Sequence, residues 1–149
     1  STDAGAAEAA IEVKRIFGRL DLLVNCLKFR PESTFETVTE SSFGEMLRLN
    51  LGSVQFLTRA VFPLMKDRPR PKIVNLISTG GDAIFAASQA GIRSLTTSMA
   101  AEFPSNFRVN CLDVAEDGVG VAAADVARAV LFLLSSEAAA INGQAMKLG

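Results

Sequence analysis

The chain has 149 residues, 49% apolar and 21% charged, enough for one packed domain and too apolar for a disordered segment. Fifteen Lys and Arg against sixteen Asp and Glu give a net charge of -1, which argues against a protein built to neutralise a nucleic-acid backbone. There is no His, Tyr or Trp, so a His base, a His metal ligand, a Ser-His triad and a Tyr proton donor are all excluded within this chain.

The opening STDAGAAEAA lacks the basic region and apolar stretch of a signal peptide. It starts with Ser and not Met, so the expectation is of a processed or incomplete chain. Residues 3–17 read as a helix with Ala7, Ala10, Ile11, Lys14 and Phe17 on one face and Gly18 as its stop. Asp21 to Asn25 is a short apolar run of strand type, of the kind a two-sided parallel sheet buries. The polar stretch RPESTFETVTESS is a loop, and Thr39 is a plausible cap for the helix beyond it. Phe43, Met46, Leu47, Leu51, Val54, Leu57, Val61 and Leu64 keep a helical period, which predicts one helix over 43–65. Asn50 interrupts that stripe, either as a satisfied structural amide or as a group reaching a site. Phe56 and Phe62 project from other faces, which suggests a partner helix.

KDRPRPK (66–72) is a basic turn, open to a phosphate-binding reading but better read as a solvated connection. Ile73 to Ile77 is the next strand, followed by the turn glycines Gly80 and Gly81. A helix over 83–102 is rich in small residues, among them Ala87, Ser88, Ala90, Gly91 and Ser94, which let a second helix approach closely. Residues 107–114 form a third strand, 122–135 a helix and 143–148 a last strand. Cys26 and Cys111 lie in separate apolar runs without a CxxC pair, so two buried thiols in a reducing, cytoplasmic setting are expected, and no zinc or redox site. No apolar run reaches the ~18 residues of a membrane span.

Helices and strands alternate with short connections, without repeat or linker. That order predicts a single α/β domain over 1–149, with a doubly wound parallel sheet and helices on both faces. The pieces together are specific. FGRLDLLVN, LRLNLGSVQFLTRAVFPLM, KIVNLIS, FAASQAGIRSLTTSMAAEF, FRVNCL and INGQAMKLG resemble, in order, the C-terminal part of the short-chain dehydrogenases/reductases. The resemblance implies a Rossmann-like fold of which strands four to seven are evident.

The departures from that family are chemical. The resemblance sets the family's four catalytic positions on Asn50, Ser78, Phe85 and Gln89. Phe85 stands where the family has its proton-shuttling Tyr, and Gln89 where it has the Lys that lowers the Tyr pKa and holds the nicotinamide ribose. Phe has no ionisable proton and Gln no charge to depress a pKa. The family's NNAG segment reads Asn25, Cys26, Leu27, Lys28, so only a vestigial Asn25 remains, and the Lys would crowd a cofactor. The Gly-rich first half has no counterpart. Gly118, Gly120 and Ala123 do spell GxGxxA, but Glu116 and Asp117 precede them and would repel a pyrophosphate, and no acidic strand end follows. The connection from Ser78 to Phe85 and the segment after Val114 are shorter than the family's.

The resemblance therefore implies a non-catalytic subunit with no cofactor of its own. It would pair through helices 43–65 and 84–102 with an active short-chain dehydrogenase subunit carrying NAD or NADP and acting on a hydroxyacyl or ketoacyl substrate. Two other readings stand beside it: a complete oxidoreductase whose cofactor-binding half and loops lie outside this sequence, and a non-enzymatic small-ligand-binding module. If this sequence is the whole protein, the first strand would leave an open apolar edge, to be covered either by the family's N-terminal strands or by another chain.

Overall fold

The computed structural model describes residues 2–31, 34–115 and 121–149. Helix α1 spans Asp3–Phe17. The Thr2 hydroxyl caps it by accepting the Gly5 N–H at 3.1 Å. Gly18, at φ 70°, ends it, giving its N–H to the Lys14 carbonyl at 2.9 Å. Strand β1 covers Leu22–Asn25. Helix α2, Glu40–Leu47, starts from a reciprocal cap in which Thr39 and Ser42 each accept the other's N–H at 3.1 Å.

The expected helix over 43–65 is not one regular helix. It begins at Glu40, and a π-helical turn over Arg48–Gly52 separates α2 from α3, Ser53–Met65. Hydrophobic spacing continues through the widened turn, so the sequence pattern does not reveal it. Strand β2 (Lys72–Thr79), helix α4 (Ala83–Glu102), strand β3 (Arg108–Ala115), helix α5 (Ala123–Leu134) and strand β4 (Ala145–Leu148) complete the chain.

The four strands pair in the order β1-β2-β3-β4, all parallel, with Asn25 opposite Asn75 and Ser78 opposite Val114. Each face buries its own core. Ile73 and Ile77 of β2 join Val61 and Met65 of α3 and Ile92 and Met99 of α4. Val74 and Leu76 turn the other way, to Leu133 and Val130 of α5. This is the doubly wound α/β arrangement the sequence implies. Phe62, Phe103 and Phe107 close the base of the first core, with ring centroids 4.8–5.3 Å apart. Part of the second face of α3 is thus filled from within the chain.

The outer side of β1 has no strand partner among the described residues. Leu22 and Val24 on β1 are exposed, and so are Ile11, Ile16 and Phe17 on α1. This corrects the face expected for the first helix: Ala6 is buried and Ala10 packs on the core, while Ile11 and Phe17 are exposed. The cysteines divide as well. Cys111 is buried, but Cys26, just past the end of the edge strand, is exposed. Among the described residues no helix is long and apolar enough to cross a membrane.

Candidate functional site at the carboxyl ends of the strands

The turn after β2 brings α4 back over the strand ends. Asp82 caps the helix, its Oδ1 accepting the N–H groups of Ile84 (3.0 Å) and Phe85 (2.9 Å). The Phe85 N–H above all holds the Asp82 carboxyl below the usual carboxylate range; Ile84 and Arg30 add to this and partial burial opposes it. Phe85 is fully buried. Lys28 Nζ and Arg30 Cζ lie 5.9 and 5.7 Å from its ring centroid, within cation–π reach, and Arg30 Nε donates to Asp82 Oδ2 at 3.3 Å.

Asn50, Ser78, Phe85 and Gln89 do come together. The π-helical turn aims the Asn50 carboxamide at the segment after β1 and at α4. Its Oδ1 accepts the Phe29 N–H (2.7 Å), and its Nδ2 donates to the Phe29 carbonyl (2.9 Å) and to Ser88 Oγ (3.0 Å). Ser88 in turn donates to the Phe85 carbonyl (2.7 Å) and accepts from Gln89 Nε2 (3.3 Å). Gln89 Oε1 accepts the backbone N–H of Ser78 (3.0 Å). Asn50 is thus the satisfied amide of the two possibilities the sequence leaves open. Sequence reasoning missed Ser88 as the hub of this network. Its signal was present: a hydroxyl three residues after Phe85, on the same helix face.

Asn25 is not part of this cluster. Its Nδ2 donates to Asn75 Oδ1 (2.8 Å), and Asn75 Nδ2 donates to Thr96 Oγ1 (2.9 Å), so it ties β1 to β2 and α4. Gly118 and Gly120 of the GxGxxA run, with Glu116 and Asp117, lie outside the described residues; Ala123 opens α5. Asp113, also unforeseen, is 2% exposed and ion-paired to Arg93 through Oδ2, while its Oδ1 has no hydrogen-bond partner among the described residues. Among the described residues no group of three or more His, Cys, Asp or Glu could hold a metal ion.

Chemically, the cluster can orient and pack. Asn50, Phe85, Ser88 and Gln89 hold no group that titrates near neutral pH. The amides and the Ser88 hydroxyl spend their hydrogen bonds on one another and on the backbone.

Residues 1–125 match a family model described as short chain dehydrogenase. The 3-oxoacyl-[acyl-carrier-protein] reductase FabG of Escherichia coli is 26% identical over 175 residues, covering 97% of this chain and 72% of the relative. Those 175 aligned positions exceed the 149 residues of the whole chain, so this chain lacks residues that the relative carries inside the matched span. The acetoacetyl-CoA reductase of an Acinetobacter species is 28% identical over 173 residues, covering 96% and 70%. The solved aldohexose dehydrogenase of Thermoplasma acidophilum superposes with a TM-score of 0.86 over 99% of this chain and 73% of that one, at 20% identity.

Proposed function

The chain belongs to the short chain dehydrogenase family, and from that premise we propose that it is a non-catalytic subunit of a heteromeric NAD(P)-dependent short-chain dehydrogenase/reductase complex. The observation that carries this reading is the pair Phe85 and Gln89, one turn apart on α4. Both are buried, and neither can give or take a proton. Hydride transfer to a ketone needs a proton donor at the forming alkoxide, worth ~10²–10⁴ in rate. A nicotinamide ribose at this place would need a hydroxyl and a cation. Phe85 supplies no hydroxyl, and the Gln89 amide is engaged with Ser78 and Ser88. Among the described residues, Lys28 and Arg30 are the cations nearest the Phe85 ring, and they stand over the ring itself; the absence of a hydroxyl on Phe85 and of a charge on Gln89 supports our placing NAD or NADP in the partner. The names of the two reductase relatives support a ketoacyl or hydroxyacyl thioester as substrate of the complex.

The partner we propose is an intact family member docking on helices 43–65 and 84–102. A groove of about 240 Å³ runs between α3 and α4, lined by Arg59, Phe62, Leu95, Met99 and Phe103 among others. Apolar walls with a charged rim suit a helical partner. Co-purification from the natural source tests the pairing. A family member carrying the Tyr and Lys is expected in stoichiometric amount. Ser98→Arg, on an exposed position of the groove, is expected to weaken pairing about tenfold without lowering the melting temperature. A solitary monomer from that source would contradict the proposal.

The open edge of β1 favours a second reading, in which further strands of the same polypeptide cover Leu22 and Val24. The intact mass of the natural protein separates the two. About 25–30 kDa, an ordinary size for one domain, would support the second reading.

A further inference from the structure

The basic turn 66–72 leads into β2 at the amino-terminal end of the sheet, the end opposite the cluster around Phe85. A pocket of about 250 Å³ opens there between Pro69, Arg70, Lys72, Asn106, Arg108 and Ala139. Its charged lining residues are all cations: Arg70, Lys72 and Arg108. None of the three forms an ion pair among the described residues, and Asp21, at the same end of the sheet, is taken by Arg19 and Arg68.

Lys72 is not the solvated side chain that a basic turn suggests. It is only 5% exposed. Its Nζ donates to the Ser135 carbonyl, which leaves two of its N–H donors. Arg108 Nε donates to the Ala139 carbonyl, and Nη1 to the carbonyls of Ser105 (2.8 Å) and Phe107 (2.6 Å), leaving Nη2. The Arg70 guanidinium makes no hydrogen bond among the described residues. Burial first, then Arg70 and Arg108, push the Lys72 pKa down. Gathering three like charges around one half-enclosed space, one of them buried, costs free energy, and among the described residues no carboxylate is ion-paired to them to offset it.

We propose that this pocket binds a small oxyanion of the phosphate type, with Arg70, Lys72 and Arg108 as its donors. A tetrahedral dianion offers several acceptors at once, which matches two guanidinium groups and an ammonium. The volume lies below the ~300–1,000 Å³ of pockets for whole organic ligands, so it suits free phosphate or the phosphoryl end of a small phosphomonoester. A polynucleotide is disfavoured by the net charge of -1. Bound there, the anion would fasten the 66–71 turn to the segment Ser135–Ala139, because Lys72 and Arg108 already hold that segment's carbonyls.

Calorimetric titration at constant ionic strength tests the site, with inorganic phosphate in one arm and glycerol phosphate in the other. Saturable one-to-one binding is expected in at least one arm, and the arm in which it appears identifies the source of the anion. Arg70→Ala is expected to weaken it about tenfold without lowering the ligand-free melting temperature, since it removes a repulsion on Lys72. Arg128→Ala, a cation on α5 paired to Asp125, is expected to leave it intact. No saturable binding in either arm, equal affinity in Arg70→Ala, or the same signal from chloride would overturn the proposal.

Discussion

The two halves of α4 share one helix and face one continuous helical segment, formed by α2, the π-helical turn and α3, yet they present different surfaces. From Phe85 to Gln89 the buried side chains are complete among themselves. Asn50, Ser88 and Gln89 exchange hydrogen bonds, and Phe85 is sealed under Lys28 and Arg30. From Leu95 onward an apolar groove lies open between the same helix and α3, above the core that Met99 shares with Val61 and Met65. A finished polar network resists a ligand, because entry would break bonds already made. An unfilled apolar groove favours a neighbour, because burial of its walls is stabilising. The difference separates an end whose polar side chains are satisfied internally from an end with an unfilled apolar groove.

Truncating the closed end should have the largest effect. Phe85→Ala empties a fully buried ring site and is expected to cost about 3–5 kcal/mol in urea unfolding. Phe85→Tyr sharpens the contrast: if the end is closed, a new hydroxyl is buried without a prepared partner and costs about 1–3 kcal/mol. A Tyr variant as stable as the parent would show that room for a hydroxyl persists there.

Asn50→Ala comes next. It frees the Phe29 N–H and carbonyl and one Ser88 contact, at an expected cost of about 1–3 kcal/mol. Amide exchange at Phe29 should quicken with it, while exchange in β3 should change only with global stability. Unchanged Phe29 exchange would remove Asn50 from the network.

Asp82→Asn keeps a capping oxygen and removes the charge. The native carboxyl titrates below its ordinary range, so its contribution is complete above about pH 4 and lost as pH falls through the lower native pKa. The variant should be less stable by about 0.3–1 kcal/mol near neutrality. Its unfolding free energy should also fall less steeply on acidification. Parallel pH profiles would contradict the assignment.

The smallest effect is chemical. Burial pushes the Cys111 thiol up to about 12, whereas Cys26 is exposed. Iodoacetamide at neutral pH should modify Cys26 alone in the native protein and both thiols in urea. Modification of Cys111 in the native state would show that the first core opens.

The sequence already held the order of elements, the parallel sheet and most boundaries to within a residue or two. The third strand, expected over 107–114, lies at Arg108–Ala115, and the helix expected over 122–135 at Ala123–Leu134. These were legible because two-sided burial writes continuous apolar runs and helices write a 3.6-residue period. What escaped depends on neighbours. The π-helical turn keeps the apolar spacing while changing where Asn50 points. Ile11, Phe17 and Cys26 sit in apolar patterns, but burial needs a covering element, and the edge of β1 has none among the described residues. Grouping Asn50, Phe85 and Gln89 was possible from the family resemblance. Ser88 as their hub, and Lys28 and Arg30 over the ring, required the fold.

The central claim is that the end of α4 near Phe85 does no proton chemistry. Steady-state assay of the purified chain, free of any companion protein, with NADH or NADPH and an acetoacetyl thioester tests it most directly. The expected result is no cofactor oxidation above the buffer rate, with turnover appearing only when an intact family subunit is added. Sustained thioester-dependent oxidation of nicotinamide by this chain alone would contradict it.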